Sequence, residues 1–146
     1  MALSLSAAPF PSTPSPIMQS TQTKTISICF WGNVPSKKNN KRILKRGKRT
    51  TILPSLAYCN WEKCEVARLK AVYGCPKLVG YSLELSIYYP DNRVRDEDNT
   101  LTSIKDCLKT AGITKDDNWQ GQSIPPVLKF VGIDRLNPRV EVQISY

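Results

Sequence analysis

Between Arg93 and Asn99 the chain reads Arg-Val-Arg-Asp-Glu-Asp-Asn, and this is where its acidic residues crowd most closely. Asp96 and Asp98 are spaced by two, so on extended backbone they point the same way. Oxygen donors placed like that suit a hard divalent ion such as Mg2+. Without a cation they would repel, so either a bound ion or the flanking Arg93 and Arg95 must offset the repulsion. A second acidic pair, Asp116-Asp117, lies downstream, and spacing alone does not say whether it returns to Asp98. The chain has no histidine, which removes Ser-His-Asp, Cys-His and His-metal mechanisms together. Any catalysis falls to carboxylates, lysines or a hard metal ion. The same residues also have a purely local reading, with Asp98 or Asn99 capping a helix and Asp116-Asp117 forming a turn.

The elements that must position these groups follow from periodicity. Ile26, Ile28 and Phe30 alternate with Thr25, Ser27 and Cys29, which predicts a first strand. Asn33 to Thr51 reads as a polar, basic loop. Pro54-Ser55 then precedes a helix in which Val66, Leu69 and Tyr73 share a face, ended by an αL cap at Gly74 and by Pro76. The clearest period-two run is Val79, Tyr81, Leu83, Leu85, Ile87 and Tyr89, a long half-buried strand. A second helix is expected from about Asn99 to Ala111, with Leu101, Ile104, Leu108 and Ala111 as its stripe and Gly112 as its C-cap. Two strands, about Val127 to Ile133 and Val140 to Tyr146, finish the chain, joined by turn residues Asp134 to Pro138. The order β-α-β-α-β-β, with the last two strands as a hairpin and both helices on one face of a mixed sheet, describes a single α+β domain.

Composition bounds what such a domain can do. With 146 residues, 40% of them hydrophobic, the chain has material for one core. No apolar run approaches the roughly 18 residues of a membrane span, so a soluble chain without a membrane partner is expected. The net charge of +9 is local. No acid precedes Glu62, while Lys37, Lys38, Lys41, Arg42, Lys45, Arg46, Lys48 and Arg49 crowd the first predicted loop. Such a cluster attracts polyanions, although it is also what a solvated loop looks like. The five cysteines (Cys29, Cys59, Cys64, Cys75 and Cys107) form no CxxC pair, so free thiols in a reducing interior are expected. Residues 1–23 are rich in Ser, Thr and Pro and lack periodicity, which predicts a disordered leader ahead of a domain at 24–146. The leader is acid-free and Ser-rich, as in a plastid transit peptide, but has no Arg.

An ordered set of short motifs runs through the domain: Pro35-Ser36 with Asn39 and Asn40, then Asp96-x-Asp98-Asn99, Asp106-x-Leu108, Ala111-Gly112 and Asp116-Asp117. Together these resemble the RusA family of Holliday-junction resolvases, the crossover junction endodeoxyribonucleases, from about Ile26 to Tyr146. The resemblance implies a homodimer that binds branched DNA, chiefly four-way junctions, and cuts it by paired, symmetric phosphodiester hydrolysis in recombination and repair. It implies Mg2+, with Mn2+ as a substitute, held by Asp96, Asp98 and Asp117; the resemblance, not the spacing, brings Asp117 into the set. Asp106 also matches a family aspartate. The family's helix lysine falls on Thr102, which carries no charge. Lys105, three residues on along the same face, is the candidate for its electrostatic role. The expected catalytic set is therefore Asp96, Asp98, Asp117 and Lys105.

DNA contact is expected from the basic cluster Lys37 to Arg49 together with Arg93 and Arg95. Trp31, Trp61 and Trp119 are candidates for stacking on exposed bases, against the ordinary fate of aromatics as core residues. The family setting suggests a bacterial or phage-encoded protein of the cytoplasm, or an organellar one if the leader is a transit peptide. Two other functions fit the same residues: a basic DNA-binding module with no catalysis, and a nuclease of flaps or replication forks.

Overall fold

A computed structural model describes residues 22–116 and 123–146. Eight elements follow in order: β1 (Thr25–Trp31), β2 (Arg42–Arg46), β3 (Arg49–Leu53), α1 (Leu56–Tyr73), β4 (Ser82–Tyr89), α2 (Glu97–Thr110), β5 (Val127–Ile133) and β6 (Arg139–Ser145). Strands β1, β6, β4 and β5 form one mixed sheet in that spatial order, and β2 with β3 forms a separate ribbon. The α+β class and the mixed sheet are as the periodicity predicts. No helix among the described residues is long and apolar enough to cross a membrane.

The core lies on one face of the large sheet. Along β4 every second residue is buried, from Leu83 through Leu85 and Ile87 to Tyr89, and β6 repeats the pattern with Val140, Val142 and Ile144. Ile28 and Phe30 of β1 join them. Leu69 of α1 and Ile104, Cys107 and Leu108 of α2 close the same cluster, so both helices cover one face and the alternation has its physical cause.

Several expectations need correction. The final two strands are not a hairpin: β5 pairs parallel with β4, and β6 sits between β1 and β4, antiparallel to both. The α2 crossover supplies the length a parallel β4–β5 connection requires. The perfectly alternating β6 takes an interior place, while β5, with Gly132 and a register shift opposite Ile87 and Tyr88, forms the edge. The segment read as a basic loop contains the β2–β3 ribbon, turned by Gly47-Lys48 with a positive φ of 57° at Gly47; positive φ at the first turn position is what glycine permits. Val79 is exposed and precedes β4 instead of opening it.

The helix ends also differ in detail. Ser55 caps α1 by accepting from the Tyr58 amide at 3.1 Å. Gly74 has φ 68° but ψ −146°, so it is not the expected αL cap. At the end of α2 the C-cap is Ala111, and Gly112 follows it with φ 75°. The Gly112 amide donates to Lys109 O at 2.9 Å and the Ile113 amide to Leu108 O at 3.0 Å, a Schellman closure. A Cβ on Gly112 would lie 3.1 Å from the Cys75 Cβ, so both space and φ demand glycine there.

Candidate active site

The long strand β4 delivers the chain to the acidic segment, and a tight set of polar contacts fixes how it enters α2. The Asp91 carboxylate accepts from the Arg93 amide at 3.0 Å and pairs with Arg95 at 2.7 Å. The Arg95 guanidinium also lies 4.9 Å over the Tyr89 ring. The hydrogen bond from Arg95, aided by the Arg93 amide, holds the Asp91 carboxyl below the usual carboxylate range.

Asp96 then caps α2. Its backbone is extended (φ −88°, ψ 111°), and its Oδ1 accepts from the Asp98 amide at 3.1 Å. Asp98 itself is inside the first helical turn, as is Glu97. The two aspartates thus do not sit side by side on extended backbone. They straddle the cap, because Asp96 at N-cap satisfies an amide the helix leaves unpaired. Their mutual repulsion is eased by the positive end of the helix, whereas Arg95 and Arg93 are directed to Asp91, at 2.7 and 3.6 Å. Asp96, Glu97 and Asp98 are all exposed, and the Asp98 carboxylate has no hydrogen-bond or ion-pair partner among the described residues.

A second segment is pinned to the same helix. The buried Ser103 hydroxyl donates to Pro35 O at 2.9 Å and accepts from the Lys37 amide at 3.1 Å. One turn further, Asp106 pairs with Lys37 Nζ at 2.7 Å. Asp106 therefore holds a neighbouring loop. Ser103 escaped sequence reading, although its signal was present: a small polar residue at a buried position of an otherwise apolar stripe.

Pinning this loop creates two clefts. The first, about 650 Å³, is lined by Pro35, Ser36, Asn39 and Asn40 on one side and by Arg95, Asp96 and Asn99 on the other. Motifs far apart in sequence thus share one polar cavity. The second, about 510 Å³, is lined by Lys37, Lys38, Lys41, Thr102 and Asp106, with Ile52, Leu53 and Pro54 as its apolar wall.

The remaining candidates are placed as follows. Thr102 donates its hydroxyl to Asp98 O at 2.8 Å and faces the second cleft. Lys105 is half-buried on α2 and lines neither of these two clefts. Arg42 is tied by its Nε to Pro54 O at 3.0 Å, at the base of the ribbon. Lys45, Arg46, Lys48 and Arg49 are exposed along the ribbon and its turn. Arg93 has an 84% exposed side chain. Trp61 packs against Phe30 and Tyr58, at 5.9 and 5.8 Å between ring centres, and so belongs to the core, whereas Trp31 is exposed. Asp117, Trp119 and nearly all of the leader (residues 1–21) lie outside the described residues. Asp116 has its carbonyl bonded by the Tyr81 hydroxyl at 2.7 Å and its carboxylate 4.0 Å from Lys109, so the chain does come back alongside the second half of α2.

The donor chemistry fits a hard divalent ion in part. Asp96 keeps Oδ2 free of described partners while Oδ1 caps the helix, and Asp98 adds a second exposed carboxylate. Oxygen donors without histidine or paired thiolates are what Mg2+ takes. Among the described residues no group of three potential ligands comes together.

Fold and site together define a small α+β protein in which a carboxylate-headed helix opens into a polar cleft beside a basic ribbon. Over 90 residues, which are 61% of this chain and 70% of the other, it is 28% identical to the crossover junction endodeoxyribonuclease RusA of Aquifex aeolicus (strain VF5). No family model matches the chain. The chain is thus similar, at a distant level, to a RusA-type protein.

Proposed function

We propose that this protein is a metal-dependent endonuclease of branched DNA that resolves four-way junctions. The carrying observation is the first cleft, where the loop with Asn39 and Asn40 closes over the Asp96 end of α2. The relative named as a junction endonuclease supports the same reading.

In this reading Asp96 and Asp98, with Asp117 as the family resemblance implies, would hold Mg2+, or Mn2+ in its place. When bound, the ion supplies charge for the phosphorane-like transition state and lowers the pKa of water. The chain's own residues do the rest. The dipole at the α2 start favours an anionic phosphate nearby. Asn39, Asn40 and Asn99 offer neutral donors that position it without competing for the ion. Lys38, Lys41 and the ribbon cations hold the backbone, and Lys105 adds positive charge along α2. Lys37 and Arg95 act mainly by fixing the loop and the helix entry, because each already has a carboxylate partner.

Two symmetric scissile phosphates call for a two-fold dimer. The edge strand β5, with exposed Val127, Phe130, Val131 and Ile133, is the surface that best supports one. Strand β4 is flanked on both edges and offers none. The compartment proposed with this reading is the cytoplasm of a bacterium or phage host, or an organelle, as the family resemblance suggests.

The test is cleavage of a labelled synthetic four-way junction and a matched linear duplex by wild type and Asp98→Asn, each with Mg2+ and with chelator. Paired Mg2+-dependent cuts in the junction alone, reduced at least ~100-fold in Asp98→Asn while binding persists, are the expected result. Tight binding with no cuts under any metal condition would leave a DNA-binding module. Equal cutting of flaps and forks would broaden the substrate.

A further inference from the structure

The β2–β3 ribbon carries a feature that neither the acidic cleft nor simple charge attraction uses. Ile43 and Ile52 lie directly opposite each other across its two strands and are 65% and 63% exposed. Alternation places them on the ribbon face shared with Lys45 and Thr50, away from Arg42, Leu44 and Arg46. A two-stranded ribbon alone is marginal in water. Leaving a cross-strand isoleucine pair in solvent gives up the burial that would normally hold it.

The surroundings narrow what could cover this pair. Between Lys37 and Arg49 there are eight basic residues and no acid. An occupant must therefore be polyanionic and must also present flat apolar surface within reach of the charges. Nucleic acid has both, with phosphates outside and base faces within, whereas an acidic protein segment matches only the charge. The second cleft has the same two-sided chemistry, because Ile52, Leu53 and Pro54 form one wall and Lys38, Lys41, Thr102 and the Lys37–Asp106 ion pair line the rest, so that Asp106 is already neutralised by Lys37. An unstacked base with its own phosphate fits such a groove.

We propose that Ile43 and Ile52 form an apolar wedge that packs on unstacked bases at the branch point of DNA, with Lys38 and Lys41 on the adjoining phosphates. The pair, not the ribbon's charge, is then what separates branched from linear DNA; this rests on the branched-DNA reading above. Linear duplex offers the ribbon its phosphates but keeps its bases stacked. At a branch point part of the unstacking cost is already met by the DNA, so an aliphatic wedge gains contact there that it cannot gain elsewhere.

The experiment uses the full chain, a four-way junction carrying 2-aminopurine beside the crossover, and a matched duplex, with chelator for binding and Mg2+ for cleavage. Ile43→Thr/Ile52→Thr keeps β-branching, so the ribbon keeps its strand preference while losing its apolar tips. Wild type should raise the 2-aminopurine emission on binding. The double variant should lose that rise and ~10-fold of junction affinity, with duplex affinity changed by less than ~2-fold because every cation remains. An undiminished rise in the double variant, with wild type still making paired cuts, overturns the wedge and leaves the nuclease reading standing. Wild type that neither prefers nor cuts the junction overturns that reading and the wedge with it. A double variant that alters self-association of the free protein without touching the fluorescence shows the pair to be a contact between copies, which also overturns the wedge.

Discussion

The four-stranded sheet is built mainly of uncharged residues and the β2–β3 ribbon carries four cations in its ten strand positions, and the two are held by opposite means. In the sheet every second side chain of β4 and β6 disappears into the core. In the ribbon nine of ten strand positions are exposed, and its base is tied down by Arg42 on Pro54 O. Stability therefore resides in the first region, and the surface chemistry that could recognise a polyanion resides in the second. The acidic start of α2 stands between them, reached from the sheet through β4 and touched by the loop that leads to the ribbon.

The sharpest way to break this division is to damage both regions equally. Leu85→Ala, in the fully buried middle of β4, should cost ~2–5 kcal/mol, the range for large-to-small core changes. Leu44→Ala, partly exposed on β2, should stay within ~0.5 kcal/mol. Urea unfolding of both variants checks this, and comparable losses would show that the ribbon is part of the cooperative core.

The same division explains what could be read from the sequence. Strands β1, β4 and β6 announce themselves because one face of each works against a core, and burial is what writes period two into a chain; β5, with no fully buried position, shows itself only by its apolar residues. The ribbon has no buried face, so its residues carry no such record. Only Gly47-Lys48 between Ile43-Leu44 and Thr50-Thr51-Ile52 hinted at a turn. The β5–β6 hairpin failed for another reason: a strand's neighbours are chosen across the sheet, and nothing local in Val127–Ile133 says that β4 is its partner. At the site, residue types pointed to Asp96 and Asp98 and the family resemblance to Asn39 and Asn40, and the fold places Asn39, Asn40 and Asp96 in one cleft. The placement of Asp96 as cap, and of Asp98 one step inside the helix, depended on where the helix begins, which periodicity fixes least well.

A second test separates the structural and chemical uses of Asp96. Asparagine caps a helix about as well as aspartate, and alanine does not. Asp96→Ala should cost ~1 kcal/mol of stability, while Asp96→Asn should leave unfolding nearly unchanged and still abolish metal-dependent cleavage. If Asp96→Asn cuts DNA normally, the carboxylate serves the helix alone and the nuclease reading loses one of its ligands.

Cys107 probes the core from the alkaline side. It is fully buried on the core-facing side of α2, and burial, with Glu65 and Glu62 adding to it, pushes its thiol up from 9.0 to about 12. A raised folded pKa means that the contribution to stability is complete below the unfolded value and fades as pH rises through the folded one. Resistance to chemical unfolding should therefore fall between about pH 9 and 12, and Cys107→Ala should lack that component. Exposed Cys64 and Cys75 should react with a thiol reagent at once, and Cys107 only on unfolding.

The smallest effect expected lies in the turn between β4 and α2, where Asp91 holds Arg95. Its carboxyl is held low, first by the hydrogen bond from Arg95 and then by the Arg93 amide. The folded pKa is depressed, so the contact's contribution is complete above the ordinary carboxylate range and is lost as pH falls through the lower, folded value. Because the carboxyl is exposed to solvent, little global stability should follow it. What should change is local: as Asp91 protonates, Arg95 is released from its pair while its place over Tyr89 remains. A carboxyl-carbon NMR titration should put Asp91 below the ordinary carboxylate range, and Arg95→Lys, which cannot reproduce the fork or the ring stacking, should move it back up. If that substitution leaves the titration where it was, the turn's own amides set the carboxyl, and Arg95 is available to a phosphate after all.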